Sequence, residues 1–529
     1  MEDTQAEQNM KNQTGNTVII LLAVIVLASI AMLLHTYGSQ MVDDGYYYLE
    51  IARNISSGNG FTFDGINPTN GFHPLWQILL VPLSWLFSGG SAFVYASTIM
   101  QTLSFTGSGF ILFRLLFSLT GRLCVSTGAA AFWLLNFLFW SKGALSGMET
   151  GILLFFFAAS LIIFMRVLRG TSSPWTLSAV LLAACTARLD TLALVAGTAL
   201  VFLFLKEYRK AVITGLPLFV YLPVYMIINR IWFGGYFPVS GYIKSSTGRE
   251  LLGKLFSSGD ISFFQHALRN LLQLATLGGR IPLPLLAVTA AGFVWLIFHF
   301  WKKMSDSTGK SVLAAVFVYI TGVIGYYSFM YESLTEIYTY YWFPAIFGIV
   351  VVFSLFLSQI ERTSIRHSVL GIIFAGLVFF NIMYARDRLR SYSFVIPDSD
   401  RVERMGVEYL NTCLDDGTVI GCWDAGYVGY YCRHRVVNLD GLVNSFEYQE
   451  ILKNQGLKRY IETENITCIA NVDYFSGQRE FIESLGGWNI IFEDSTGFPA
   501  AVSIFSISDS GRDYASRQSR IFYIYGKTD

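Results

Sequence analysis

Residues 41–76 read MVDDGYYYLEIARNISSGNGFTFDGINPTNGFHPLW, and their first notable feature is a pair of adjacent carboxylates, Asp43 and Asp44. They stand a few residues beyond an apolar run at 17–36. Ionisable groups at the edge of a bilayer are costly and tend to be functional. The segment DGYYYLEIARNI has helical spacing, so Tyr47, Ile51 and Ile55 can pack down while the aspartates project from the helix start, where the dipole favours negative charge. That position equally suits a helix cap. The rest of the stretch is rich in Gly, Asn and aromatic residues and ends on His73 and Trp76. Such a composition fits a shaped, hydrogen-bonding surface with stacking platforms for sugar rings better than a passive linker. A lone histidine such as His73 is more often a structural hydrogen-bonder than a catalyst.

Four further segments carry unusual polar residues. In SKGALSGMETG, Glu149 opens an apolar run; it fits a helix-start acid or a group that orients an acceptor or the aspartate loop. TARLDTL sets Arg188 and Asp190 in an apolar region, as a mutual ion pair or as the lining of a path or site. In WFGGYFPVSGYIKSS, Lys244 beside Ser245 and Ser246, with Tyr236 and Tyr242 near, suits holding a phosphate at the membrane surface. An interfacial lysine that simply snorkels fits as well. YESLTEIYTYYWFP, with Glu332 and Glu336, reads as an interfacial aromatic belt.

What must position these groups is a set of membrane helices. The chain has 529 residues, 53% hydrophobic, 16% aromatic and only 14% charged. Soluble domains run near a quarter charged. About eleven spans are expected, near 17–36, 92–113, 123–140, 150–166, 174–188, 191–205, 211–230, 281–301, 311–330, 338–358 and 368–385. Lys and Arg gather at 114–122, 166–169, 206–210, 302–310 and 362–366, which assigns those loops to the inner face. That parity holds if 74–88, short and carrying two prolines, does not cross. The unusual polar residues then share the outer face.

Three domains follow: a disordered cytoplasmic stretch at 1–16, a transmembrane catalytic module at 17–390 whose external loop is 38–73, and an external soluble α/β domain at 391–529. The last contains short β-rich runs (TVIGCW, RVVNL, TCIANV, WNIIF, AVSIFSI) and helix-like segments at 400–412 and 446–462. Lys+Arg and Asp+Glu number 37 each, so no basic field argues for nucleic acid. Cys413, Cys422, Cys432 and Cys468 all lie in the exported part, where one or two disulfides are admissible. Walker, GxGxxG, HExxH and GxSxG motifs are missing, which removes ATPase, dehydrogenase, metalloprotease and serine hydrolase readings.

DDGYYYLEIARNISSGNGFTFDG with NPTNGFHPLW, then SGMETG, ARLD and PVSGYIKS, together resemble the GT-C superfamily of membrane glycosyltransferases that use polyprenyl-phosphate sugars. The likeness is greatest to bacterial arabinofuranosyl-, aminoarabinose- and mannosyltransferase-like proteins. It covers 17–390 in architecture, with the strongest motif match at 41–77, and 425–444 resembles the exported C-terminal domain of such proteins. The resemblance implies a polytopic GT-C-like fold in a prokaryotic plasma membrane, with the active site outside. Asp43 then serves as general base, with Asp44 as helper or substitute; Lys244, or else Arg188, meets the donor phosphate. Tyr47, His73, Trp76, Glu149, Asp190 and Tyr242 line the substrate site. The implied partners are a polyprenyl-phosphate sugar, a glycan, lipid or protein acceptor and membrane lipids. Some superfamily members use a divalent ion (Mg, Mn or Ca), which would fall on Asp43 and Asp44. A transporter of lipid-linked sugars is the other reading, favoured only by Arg188 and Asp190.

Overall fold

The computed structural model describes residues 41–87, 90–275, 301–334 except 303 and 305, 339–391, 398–472 except 455, 482, 484, 488–496 and 520–527. The spans expected at 17–36 and 281–301, the stretch 1–16, Glu336 and the run AVSIFSI lie outside the described residues.

Helix α1 (Asp43–Ser56) is followed by α2 (Pro74–Phe87) and α3 (Gly90–Thr120). Six described helices are long and apolar enough to cross a bilayer: Gly90–Thr120, Thr150–Leu168, Tyr208–Phe233, Ser307–Met330, Tyr340–Ser358 and Thr363–Tyr384. The pair Leu123–Leu134 and Phe137–Ala144, bent by 51°, makes a seventh if taken as one span. This is a multi-pass membrane protein.

The spans expected at 174–188 and 191–205 fall on two short helices with a turn between them. Pro174–Ala187 has 14 residues and Leu192–Phe204 has 13, and at about 1.5 Å per residue neither matches a hydrocarbon core of roughly 30 Å as a straight crossing. Arg188 interrupts them with an extended backbone (φ −161°, ψ 129°) at the head of a single 3-10 turn, Leu189–Thr191. The polar ARLD sequence that marked the segment for function is also what breaks the helix. Helix α2, with Pro82 inside it, is likewise too short to span; it buries Trp76, Gln77, Leu80 and Ser84. Ser84 and Gln77 donate to the backbone of α1, at Ala52 O (3.3 Å) and Tyr48 O (3.1 Å).

The C-terminal part is a mixed sheet with helices. Strands β1 (Val419–Cys422), β2 (Arg435–Asn438) and β3 (Cys468–Val472) are parallel, β5 (Arg520–Lys527) runs antiparallel to β3, and β4 (Trp488–Thr496) antiparallel to β5. The order is β2-β1-β3-β5-β4. Four of the five β-rich runs fall on strands; Arg520–Lys527 was not anticipated. The period of two sorts side chains to the two faces. Ile420, Cys422, Val436, Cys468 and Ala470 join the large core that also contains Tyr46, Tyr47, Phe63 and Trp76. Val437 and Ile469 face a separate small core with Leu439, Tyr448, Tyr460 and Ile466. One face of the sheet therefore packs continuously with the membrane module. The six cysteines are unpaired; Cys422, Cys432 and Cys468 are buried and Cys413 is exposed.

Candidate active site

Helix α1 starts where the backbone of Val42 donates to Ser146 O (3.0 Å), which ties the DDGYYY segment to the SGMETG loop. Gly45 makes this approach possible, since a Cβ there would stand 2.7 Å from Ser146 O and 2.6 Å from Met41 Cγ. The indole of Trp76 donates to Gly147 O (3.0 Å) from a fully buried position, so Trp76 is a strut of the site rather than an open stacking platform.

The two aspartates part company. The N-cap of α1 is Val42, and no side chain caps the helix. Asp43 instead accepts two backbone hydrogen bonds from the C-terminal domain, Gly426 N to Oδ2 and Tyr427 N to Oδ1, each 2.8 Å. Burial pushes its carboxyl up to about 7, nearby Asp424 adds to the rise, the two amides work against it and Asp44 contributes a smaller push upward. Tyr47, one turn on, donates to Asp440 Oδ2 (2.9 Å) and accepts from Ala425 N (3.3 Å) and Asn438 Nδ2 (3.2 Å). Burial holds Asp440 up at about 8.

Asp44 faces the other way. Its Oδ2 accepts from the Tyr340 hydroxyl (3.2 Å) and lies 3.8 Å from Lys244 Nζ, and its side chain keeps 24% exposure. Lys244 closes the short helix Val239–Lys244, donates to the Tyr341 hydroxyl (3.1 Å) and sits 5.5 Å from that ring's centre. The structure thus places a carboxylate, an ammonium and two phenols together, drawn from three distant stretches of sequence.

A second cluster adjoins it. Glu149, buried to 1% exposure, accepts from the Tyr48 hydroxyl at Oε2 (3.1 Å). Its Oε1 lies 3.7 Å from His73 Nε2 and 3.8 Å from Arg188 Nη1. Neither Glu149 Oε1 nor His73 Nδ1 has a hydrogen-bond partner, and buried orphans of this kind mark a place for water or a ligand. Burial lowers the His73 pKa and the Glu149 charge offsets part of that, which favours the neutral imidazole. Glu149 precedes the helix Thr150–Leu168 without capping it through its side chain.

Arg188 and Asp190 are closed on each other. Arg188 Nε donates to both Asp190 oxygens (3.0 and 2.9 Å), Nη1 to Tyr340 O (3.2 Å) and Nη2 to Tyr341 O (2.9 Å). Asp190 also accepts from the Tyr327 hydroxyl (2.9 Å). The pair clamps the backbone that carries Tyr340 and Tyr341. Tyr242 points to the C-terminal domain, its ring 5.5 Å from Phe446 and 3.4 Å from the Arg249 guanidinium. Ser245 donates to Gly241 O (2.7 Å) within its own chain segment, and Glu332 is exposed.

Sequence reasoning did not mark Tyr340, Asp424, Gly426 or Asp440. Tyr340 carried only the belt signal shared with its neighbours. The other three lie in or beside AGYVGYY...VVNLDGLVN, nearly 400 positions from Asp43 and Tyr47, the residues of helix α1 that they meet. A divalent ion does not fit this donor set. Both Asp43 oxygens already accept from amides, an ammonium stands beside Asp44, and no group of three or more His, Cys, Asp or Glu side chains able to hold a metal occurs among the described residues.

Among solved structures, ArnT from Cupriavidus metallidurans bound to undecaprenyl phosphate superimposes with a TM-score of 0.50 at 13% identity, over 96% of this chain and 97% of that one. The fold is ArnT-like. The same protein in the apo state gives a TM-score of 0.48 at 14% identity, over 96% of this chain and 98% of that one. Residues 390–518 match the family described as a domain of unknown function, DUF8728. No curated protein matches. The ArnT-like fold agrees with the GT-C-like architecture expected from the loop-1 motif, and DUF8728 covers most of the sheet domain that packs on α1.

Proposed function

We propose that this protein is a glycosyltransferase that moves a sugar from a polyprenyl-phosphate donor to a hydroxyl of an envelope glycan, lipid or protein, on the external face of a prokaryotic plasma membrane. The observation that carries the reading is the meeting of Asp44 with Lys244 and Tyr340 at 3.8 and 3.2 Å, on a fold shared with a protein captured with undecaprenyl phosphate. Asp44 is the general base. It takes the acceptor hydroxyl proton while that oxygen bonds to the anomeric carbon, and the bond from that carbon to the phosphate oxygen breaks with its electron pair. The departing polyprenyl phosphate gains negative charge, and Lys244 stands to meet it. The His73–Glu149 pair, with its two unsatisfied atoms, offers an acceptor and a ring nitrogen to sugar hydroxyls. No step is routed through a metal ion.

The test uses the full chain in lipid nanodiscs with labelled undecaprenyl-phosphate sugars. Asp44→Asn keeps the shape and removes the base, and general-base help is worth about 10²–10⁴-fold, so turnover is expected to fall by at least about 100-fold. Turnover of Asp44→Asn at the wild-type rate, or no transfer from any such donor by the wild type, rejects the proposal.

A further inference from the structure

We infer that Asp43 is a positioning residue that latches the C-terminal domain onto helix α1, and that this latch sets the direction of Asp44. The inference rests on the glycosyltransferase reading for its effect on turnover, and on geometry alone for the latch itself.

The contact is tight over the whole length of the loop. Besides the two amides held by Asp43, Tyr47 enters a network with Asp440, Ala425 and Asn438, and Arg53 Nη1 donates to Tyr430 O (3.0 Å). The Tyr46 ring packs among Tyr427, Tyr430 and Tyr431, with centroids 5.4, 5.7 and 5.8 Å away. Backbone meets backbone at two glycines. A Cβ on Gly426 would lie 2.0 Å from Asp43 O, and one on Gly71 would lie 2.1 Å from Leu442 O. Neither contact survives a side chain without movement of the domain. Arg435 completes the seam through Asp64, with Nη2–Oδ2 at 2.7 Å.

Consecutive helix residues point roughly 100° apart. Asp43 and Asp44 cannot therefore both turn toward the same partner. With both oxygens of Asp43 committed to Gly426 and Tyr427, the helix is fixed about its axis so that Asp44 looks toward Lys244 and Tyr340. The DUF8728 region thereby becomes part of the catalytic apparatus without contributing a reacting group. A one-residue change on either side of the seam should have the same consequence.

Asp43→Asn and Gly426→Ala test this from opposite sides. Asn puts an N–H₂ against an amide that needs an acceptor, whereas Gly426→Ala changes no acidic group and inserts a methyl into the Asp43 carbonyl. Both variants are made in the full chain in nanodiscs and read by hydrogen exchange across 43–56 and 425–431 and by transfer kinetics. The expected result is faster exchange in both segments and a kcat lowered by about 10-fold or more in both variants. The KM for undecaprenyl-phosphate sugar should change by less than about 3-fold, since Lys244 is untouched. Should Asp43→Asn prove too unstable to purify, Gly426→Ala together with Tyr47→Phe carries the same comparison. Asp43→Asn abolishing transfer with exchange at 425–431 unchanged would make Asp43 the base and overturn the proposal. Gly426→Ala releasing the domain yet transferring at the wild-type rate would overturn it too. The exchange readout holds whether or not the chain transfers sugar, so failure of the latch and failure of the glycosyltransferase reading give different results.

Discussion

Arg188 is where the geometry makes its most quantitative demand. The residue is 2% exposed and its guanidinium donates at all three nitrogens, to Asp190 and to the Tyr340 and Tyr341 carbonyls. Arg188→Ala strips Asp190 of its cation and leaves it only the Tyr327 hydroxyl among these partners. It also withdraws the cation 3.8 Å from Glu149, whose Oε1 has no hydrogen bond to fall back on. Removing one partner of a buried pair costs about 3–5 kcal/mol, because the remaining charge stays buried. At about 2 °C per kcal/mol for a large chain, the apparent Tm in detergent should drop by roughly 5–10 °C. Arg188→Lys keeps the charge but loses the planar fork, so its drop should be intermediate. Arg188→Ala with Asp190→Asn discharges the stranded carboxylate and should recover part of the loss, a coupling on the order of 1–3 kcal/mol. The assay is thermal unfolding followed by intrinsic tryptophan fluorescence, with turnover of the same samples measured alongside. An Arg188→Ala protein that melts within about 1 °C of wild type while its donor KM rises steeply would refute the reasoning. Arg188 would then be a phosphate ligand and not a clamp.

Two further outcomes follow from the same contacts. Lys244→Gln removes the cation beside Asp44 while keeping a donor within reach of Tyr341; the loss of a charge-assisted contact of about 1.5–3 kcal/mol should weaken donor use by roughly 10–100-fold in kcat/KM, read in the nanodisc transfer assay. Asp43 gives a pH signature, because its carboxyl rises from 3.8 to about 7 on folding. Between those values the folded chain keeps a proton that the unfolded chain has released. This stabilising contribution is therefore full below about pH 4 and is lost as pH climbs through about 7. The stability difference between wild type and Asp43→Asn should shrink over that window; a difference that grows with pH would show the carboxylate to be the favoured form.

Much of the architecture was legible before any coordinates. Apolar runs of span length mark helices because an isolated segment in lipid must satisfy its backbone groups internally, and the expected spans among the described residues fall on helices, the one at 123–140 broken at Leu135 and Asn136. The β-rich runs from 419 to 496 announced themselves by β-branched content and turn punctuation. The runs at 174–188 and 191–205 fall on the helices Pro174–Ala187 and Leu192–Phe204, with the turn read around Arg188 to Asp190 between them. The candidate site residues were mostly flagged by type, since Asp43, Asp44, Glu149, Arg188 and Lys244 are conspicuous charges in an apolar chain.

What the sequence determined by itself is which residues carry charge where charge is costly, and that apolar helices are followed by a C-terminal region of short strands and helices. Only the tertiary structure decided their partners. Adjacent in sequence, Asp43 and Asp44 look interchangeable; folded, one is bound to the amides of Gly426 and Tyr427 and the other stands beside Lys244. The reason is that a helix sends neighbouring side chains in different directions, and what lies in each direction is supplied by chain segments about 200 and 380 residues away, at separations no local pattern encodes.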